Sequence, residues 1–279
     1  MWPFSRAPVV PVLRFSGVIG MATPLRPGLT IAAIASAIEK AFHASKLPVV
    51  AIVVNSPGGS PVQSSLIFKR LRQLAEEEKK VIHVFCEDVA ASGGYYLALA
   101  GDHIYADASS IVGSIGVISA SFGFDKAIAR LCIDRRLYTA GESKGTLDAF
   151  SPEKPEDVER LRAVQRDVHD AFIGVVKERR AGRLKAPDGE LFSGAFWSAG
   201  KALDLGLIDG VTDLRTRMRE LYGPKVRLKL VSLGGGGLLS RLRRLPSIEM
   251  TSRTGAGLAF ADDLVSAIEA RALWSRFGL

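Results

Sequence analysis

The chain has 279 residues, of which 47% are hydrophobic and 24% charged, a composition typical of a globular protein with a substantial core. No segment has the run of about 18 apolar residues that a membrane-spanning helix requires. The first residues, broken by prolines and Arg14, lack the apolar centre of a signal peptide. We therefore expect a cytoplasmic protein without a membrane anchor.

Short apolar runs alternate with amphipathic segments along the first 120 residues, a pattern that predicts an α/β fold. The predicted strands lie at 11–19, 48–54, 81–87, near 103–107 and at 113–119. The predicted helices are one capped by Thr30, one over 61–78 and a short one after Ser92.

A further strand is predicted at 135–139, followed by a long helix that opens at Ser151 and ends at Gly182. We expect its apolar stripe to be core, with the members Val158, Leu161, Val164, Val168, Phe172 and Val175. Residues 192–211 are expected to return to the sheet or its edge, and a helix at 212–221 closes a main domain assigned to 1–232.

The remaining residues, 233–279, are predicted to be a Gly-rich linker and an amphipathic helical tail. The apolar stripe of the tail comprises Ala261, Leu264, Val265, Ile268 and Ala272, and it fits packing on the body, on another subunit or on a membrane.

The net charge of +8 is concentrated in residues 212–254, where ten basic residues accompany three acidic ones. This charge fits peripheral contact with an anionic membrane, and we expect no nucleic-acid partner. A purely non-enzymatic binder acting through this stretch is one alternative. The cysteines Cys86 and Cys132 form no metal or disulfide pattern and are predicted to be small buried residues. No metal or cofactor is expected.

Two Gly-rich turns follow predicted strands, and each precedes a helix. In "NSPGGS" (55–60), Gly58 and Gly59 allow a substrate carbonyl to approach the backbone N–H groups, as an oxyanion hole requires. In "ASGGYY" (91–96), Ser92 lies at a helix N-terminus, where it is either a helix cap or a nucleophile. Gly93 is placed to supply a second oxyanion donor, and Gly94 to allow close packing.

A nucleophilic serine needs a base, and none of the four histidines is well placed. His43, His83 and His169 are expected to make structural hydrogen bonds, which leaves His103 as the only histidine candidate. Lys144, in the Gly-bounded "GESKG", is the other candidate. A lysine base must be neutral, which requires a buried or electropositive surrounding.

The motifs "VNSPGGS", "ASGGYY", "GSIGV" and "GESKG", in this order, resemble those of the signal peptide peptidase SppA family of Ser/Lys proteases. The resemblance extends from about Val10 to Tyr222 and is closest to the short single-domain bacterial members. It implies a ClpP/crotonase-like fold of repeated β-β-α units and hydrolysis of cleaved signal peptides or other hydrophobic or unfolded peptides.

By the same resemblance, Ser92 matches the nucleophile, Lys144 the general base, Gly59 an oxyanion-hole donor and Ser114 the serine that orients the lysine. It also implies a homo-oligomer in which neighbouring protomers contribute the serine and the lysine of each site. Two alternatives stay open. They are a crotonase-like acyl-CoA enzyme, and a ClpP-like Ser-His-Asp protease with His103 as the base.

Overall fold

The computed structural model describes residues 7–21, 28–233 and 265–279. Its strands are β1 (Val9–Ser16), β2 (Val49–Ser56), β3 (Val81–Ala91), β4 (His103–Ala106), β5 (Ile111–Gly113), β6 (Phe196–Ser198), β7 (Gly210–Val211) and β8 (Arg227–Leu230). Its helices are α1 (Ile31–His43), α2 (Pro61–Glu77), α3 (Gly93–Ala98), α4 (Asp125–Arg130), α5 (Pro155–Arg179), α6 (Asp188–Leu191), α7 (Ala199–Asp204) and α8 (Leu214–Tyr222). Residues 265–275 are also helical.

Within these described ranges, eight strands form one sheet in the order β6-β5-β3-β2-β1-β8, and β4 joins β3 to β7. All these pairs are parallel except β5 with β6. The central β2 is buried along nearly its whole length, because helices or other elements cover both faces of the sheet. The α/β expectation and the helix capped by Thr30 are confirmed.

Strand β3 is eleven residues long and changes partner halfway along one edge. Its residues 83–86 pair with β4, and its residues 89–91 pair with β5, while β2 lies along the other edge. The register with β2 shifts between Val54 and Ser56. Because the register shifts and β3 exchanges β4 for β5 as its partner, the end of β3, and therefore Ser92, lies beyond the main sheet.

Different helices pack on the two faces of the sheet. Helices α1, α2, α3 and part of α5 pack on one face, where Phe15, Ile52 and Val84 are buried. Helix α8 covers the other face through Met218, against Val12 and Phe85. In the described part of the chain, no helix is long and apolar enough to cross a membrane.

Two strand predictions are wrong. The strand expected at 113–119 is β5 at Ile111–Gly113, so it ends immediately before Ser114. Residues 135–139, expected to be a strand, have no regular secondary structure. Among the described residues, neither 114–119 nor 135–139 has a neighbouring strand with which to pair, so strand propensity alone did not decide the outcome.

The stripe predicted on the long helix is also wrong in its first half. Of its members, Phe172 is buried, Val158, Leu161, Val168 and Val175 are partly exposed, and Val164 is 56% exposed. The N-terminal half of α5 contacts residues 146–147 through Asp157 and Arg160, and its apolar residues Val158 and Leu161 are only partly covered. Cys86 is buried as predicted, but Cys132 is exposed.

The segment from Ile118 to Phe150, called the arm below, projects from the body. Its only regular element is α4, none of whose residues is buried. Internal contacts hold it together, including a stack of Phe124 on Phe150 at 5.5 Å and an ion pair of Arg135 with Asp148. Its exposed large apolar residues are Ile118, Phe122, Phe124, Leu131, Ile133, Leu137, Tyr138 and Phe150.

Candidate active site

Ser92 occupies the sharp turn between β3 and α3. Its backbone has φ 51° and ψ −122°, a conformation that a residue with a side chain rarely adopts. Two hydrogen bonds fix it, from its N–H to the Gly113 carbonyl at 2.8 Å and from the Tyr96 N–H to its own carbonyl at 2.9 Å. Its side chain makes no capping hydrogen bond to α3. Ser92 therefore begins the helix through its backbone, and its hydroxyl stays available for chemistry.

The turn after β2 lies directly against Ser92 and depends on glycine. A Cβ atom on Gly58 would lie 2.8 Å from the Ser92 Cβ, and one on Gly59 would lie 2.1 Å from the Ile19 carbonyl oxygen. Ile19 bridges this turn through the Gly58 carbonyl and the Ser60 N–H. Because residues alternate in direction along an extended chain, the Gly59 N–H points to the opposite side.

Within the described residues, neither the Gly59 N–H nor the Gly93 N–H has an assigned hydrogen-bond acceptor. Both glycines line the same cavity as Ser92. Two unoccupied backbone donors beside a free hydroxyl are the arrangement that an oxyanion hole requires. Gly94 has the packing role expected of it, since a Cβ there would lie 2.4 Å from the Ser56 carbonyl oxygen.

A cavity of about 300 Å³ opens beside Ser92 between α2, α3 and α5. Apolar side chains line most of it, among them Val62, Tyr96, Val117, Val168 and Phe172. In the part of the chain that the structure describes, Asp167 is the one charged residue of the lining. Such a lining accepts an apolar substrate side chain. Sequence reasoning assigned Val168 and Phe172 to the core and missed Tyr96, although its spacing of one helical turn from Ser92 was a usable signal.

Ser114 lies on the other side of Ser92, at the end of β5. It is 6% exposed, has a positive φ of 52°, and donates its N–H to the Ala195 carbonyl at 2.7 Å. The preceding Gly113 accepts the Ser92 N–H, and a Cβ atom on it would collide with the Trp197 ring. The short strands β5 and β6 therefore bring Ser114 next to Ser92.

Guanidinium groups fix the far end of α3. Arg179 donates to the carbonyls of Leu99 and Gly101, and Arg72 donates to that of Ala100. Both also bind the carboxylate of Asp102, which accepts the Ile82 N–H. Cations at the C-terminal carbonyls are stabilising, so the helix that begins at Ser92 is held at both ends.

Lys144 is not part of this cluster. It is exposed, lies in a turn of the arm, and is absent from the lining of the Ser92 cavity. One protomer therefore brings together Ser92, Gly59, Gly93 and Ser114, but it does not bring Lys144 to them.

The histidines do not replace the lysine within the chain. His103 pairs with His83 near the start of β3, whereas Ser92 follows its end, roughly 25–30 Å away along an extended strand. This excludes His103 as the base for Ser92 of the same protomer. The ring of His169 contacts the Ile115 carbonyl at 3.1 Å, the structural role that was predicted.

His83 departs from the expectation of a structural hydrogen bond. Its Nδ1 is buried without a hydrogen-bond partner among the described residues. Burial, together with the nearby His103 and Arg217, lowers the pKa of His83 to about 4, against a smaller opposite effect of Asp102. The ring is therefore neutral at pH 7.

A scan of protein families matches residues 73–225 to the family described as Peptidase family S49. This span includes Ser92, Ser114 and Lys144. A putative protease of Synechocystis is 29% identical over 75% of this chain and 72% of its own length. A putative signal peptide peptidase SppA of Enterococcus faecium is 30% identical over 58% of this chain and 46% of its own.

A protein of Brucella abortus named Na(+)/H(+) antiporter NhaA is 52% identical over 97% of this chain. A protein of the same name from Brucella melitensis matches equally well. The chain spans only 37% of the length of either relative.

Proposed function

The chain belongs to peptidase family S49, and from this membership and the geometry at Ser92 we propose that it cleaves hydrophobic peptides with a Ser92–Lys144 dyad. The membership makes the chain a serine peptidase with a ClpP/crotonase-like fold, which confirms the predicted family, fold class and enzyme class. It also decides against the acyl-CoA alternative.

One observation supports the role of Ser92 most strongly. Among the described residues its hydroxyl has no hydrogen-bond partner, and it lies on a strained turn beside two glycine N–H groups that likewise have no acceptor there, next to an apolar cavity. In the proposed reaction the neutral Lys144 amine takes the Ser92 proton, and Oγ attacks the peptide carbonyl. The Gly59 and Gly93 N–H groups bind the oxyanion. The ammonium then protonates the leaving amine, and water hydrolyses the acyl-enzyme.

The lysine is proposed to come from a neighbouring protomer. The exposure of Lys144 and the apolar surface of the arm around it support this arrangement, since both fit an interface with a second copy. Ser114, nearly buried beside Ser92, is then placed to accept a hydrogen bond from the incoming amine and orient it. Assembly would exclude water from the lysine, which favours its neutral form.

The substrates proposed are cleaved signal peptides and other hydrophobic or unfolded peptides. The apolar lining beside Ser92 supports this class, as does the name of the Enterococcus relative. Asp167 at the cavity disfavours a second negative charge there, so acidic side chains should be poor at the position next to the cleaved bond.

A location at the cytoplasmic face of a membrane is also proposed. The basic stretch 212–254 supports it, and the Brucella relatives bear the name of an ion antiporter. In this proposal the chain consists of a peptidase domain (1–232) and a tail (233–279). Sedimentation with phosphatidylglycerol vesicles, but not with phosphatidylcholine vesicles, tests it. Replacing Arg241, Arg243 and Arg244 by glutamate should abolish the binding, and unchanged binding would contradict the membrane role.

The dyad is tested with a fluorophosphonate probe and a quenched hydrophobic peptide. Wild type should react with both, and Ser92→Ala with neither. Lys144→Ala should lose at least about 1,000-fold in kcat, because a nucleophile and its base act as a unit. Lys126→Ala, an exposed lysine on α4, serves as the matched control and should keep wild-type rates. Labelling that persists in Ser92→Ala, or full activity in Lys144→Ala, would contradict the assignment.

A further inference from the structure

The C-terminal residues 265–279 touch the body through two aromatic side chains. Phe277 is 8% exposed and packs in one apolar cluster with Val89 and Ala91 of β3. Trp274 and Ile111 border that cluster. The Phe277 ring also meets the ring of Phe196 edge to face, at 5.1 Å between centroids.

The other apolar side chains predicted to pack in this segment are exposed where the structure describes them. Val265 and Ile268, predicted to belong to its packing stripe, are 54% and 61% exposed, and Ala272 is exposed as well. Ala261 and Leu264 of that stripe lie outside the described residues. Trp274 and Phe277, called the latch below, are therefore the large side chains through which the segment attaches.

The latch lies behind the active site. Ala90 faces the core under the helices, whereas Val89 and Ala91 face the other side of β3, where Phe277 covers them. The cavity beside Ser92 is on the helix side. Phe277 thus reaches the strand that carries Ser92 without entering the cavity.

The two carbonyls that accept the N–H groups of Ser92 and Ser114 each lie beside Phe196, which the latch touches. Ala91 directly precedes Ser92. Gly113, whose carbonyl accepts the Ser92 N–H, is paired with Phe196. Ala195, whose carbonyl accepts the Ser114 N–H, precedes Phe196. Strands β5 and β6 have three residues each, so each has few backbone groups for pairing with its neighbours.

We propose that Trp274 and Phe277 are positioning residues, which hold the ends of β3, β5 and β6 together from behind and thereby fix the turn at Ser92. The proposal rests on the proposed role of Ser92 as the nucleophile. An error of about 1 Å in the position of a reacting group can cost up to about 100-fold in rate. Loss of the latch should therefore lower kcat and leave substrate binding largely unchanged.

The test compares Phe277→Ala with Ile268→Ala, an exposed apolar residue of the same helical segment, and with the conservative Phe277→Leu. In Phe277→Ala, kcat and the rate of fluorophosphonate labelling should both fall about 10-fold, with KM within about twofold of wild type. Phe277→Leu should recover most of this loss. Ile268→Ala should equal wild type in every measurement.

Hydrogen exchange gives a readout independent of activity. Backbone amides of 89–91 and 111–113 should exchange faster in Phe277→Ala, and those of β2 should be unchanged. Wild type without labelling at Ser92 would overturn the proposed function itself. A labelled wild type with equal rates in a folded Phe277→Ala, or a rise in KM alone, would overturn only the latch. If Phe277→Ala does not fold, Trp274→Ala is judged by the same criteria, and failure of both to fold would also overturn the proposal.

Discussion

The strand ends around Ser92 and the arm that carries Lys144 differ in how much of their surface the chain itself covers. Around Ser92 the end of β3, most of β5 and all of α3 are buried, and backbone hydrogen bonds fix both serines. In the arm, Phe122 is 80% exposed and Tyr138 is 90% exposed. The first region is preorganised within one chain, whereas the second has the apolar surface of an interface without its partner.

The largest effect should come from placing charge on the arm. We expect Phe122→Asp combined with Tyr138→Asp to lower activity about 100-fold, because carboxylates would have to be buried between copies. The unfolding temperature of the dissociated chain should not change, since both side chains are exposed in it.

Leu230→Asp, at a residue 63% exposed on β8, is the matched control and should remain assembled and active. Analytical ultracentrifugation and the peptide assay measure both effects. An assembled and active double variant would show that the arm is not the interface.

A single methyl group should distinguish the two regions by stability. Gly94→Ala places a Cβ 2.4 Å from the Ser56 carbonyl oxygen and should lower the free energy of unfolding by about 1–3 kcal/mol. Gly123→Ala, in the arm, meets only Asp125 Oδ1 at 3.6 Å and should change it by less than about 1 kcal/mol. Urea denaturation of the two variants measures the difference, and equal destabilisation would contradict the contrast.

His83 lies near the start of β3, the strand that leads to Ser92. We expect this residue to make the free energy of unfolding depend on pH. The folded state holds the pKa of His83 at about 4, whereas the ordinary value is 6.5. The unfolded chain therefore binds a proton first, and this residue should cost about 1–2 kcal/mol of stability as the pH falls from 7 to 5. The groups facing the ring are His103, Arg217 and Asp102.

His83→Phe should remove this dependence. The free energy of unfolding of the variant should therefore increase relative to that of wild type as the pH falls. His43→Gln, at an exposed histidine, should not change the dependence. A constant difference between His83→Phe and wild type from pH 7 to pH 5 would show that His83 titrates normally.

The smallest perturbation is chemical labelling of the two cysteines. Burial raises the pKa of the Cys86 thiol to about 12, so it should not react with maleimide in the folded protein. Cys132, exposed in the arm, should react quickly in the dissociated chain and more slowly after assembly. Mass spectrometry identifies the labelled residue. Equal rates for Cys132 at all protein concentrations would argue against an interface at this position.

The same contrast explains what the sequence could predict. Buried strands such as β2 and the glycine turns at Gly58 and Ser92 were predictable, because periodicity and turn chemistry act over a few residues. Ile118, Leu137 and Tyr138 of the arm were assigned to strands, and the apolar residues in the first half of α5 were assigned to a core stripe. Sequence periodicity indicates that a side chain is to be covered, but it does not tell whether its own chain or another copy provides the cover.

The site itself was predicted less completely than its turns. Motif order indicated Ser92, Gly59 and Ser114, which the fold brings together. The lining by Val117 and Phe172 depends on how α5 crosses α3. The latch depends on contacts of Phe277 with Val89 and Ala91, which lie more than 180 positions earlier in the chain. No local pattern encodes either arrangement.

The most direct test of the account mixes two inactive variants. Ser92→Ala and Lys144→Ala are unfolded together and refolded as mixed oligomers, with each variant refolded alone as the control. If neighbouring protomers complete the site, a Ser92 from one variant meets a Lys144 from the other. A substantial fraction of wild-type peptidase activity, about a quarter for random pairing, should then return. Mixed oligomers verified by mass spectrometry that stay inactive would contradict a site shared between copies.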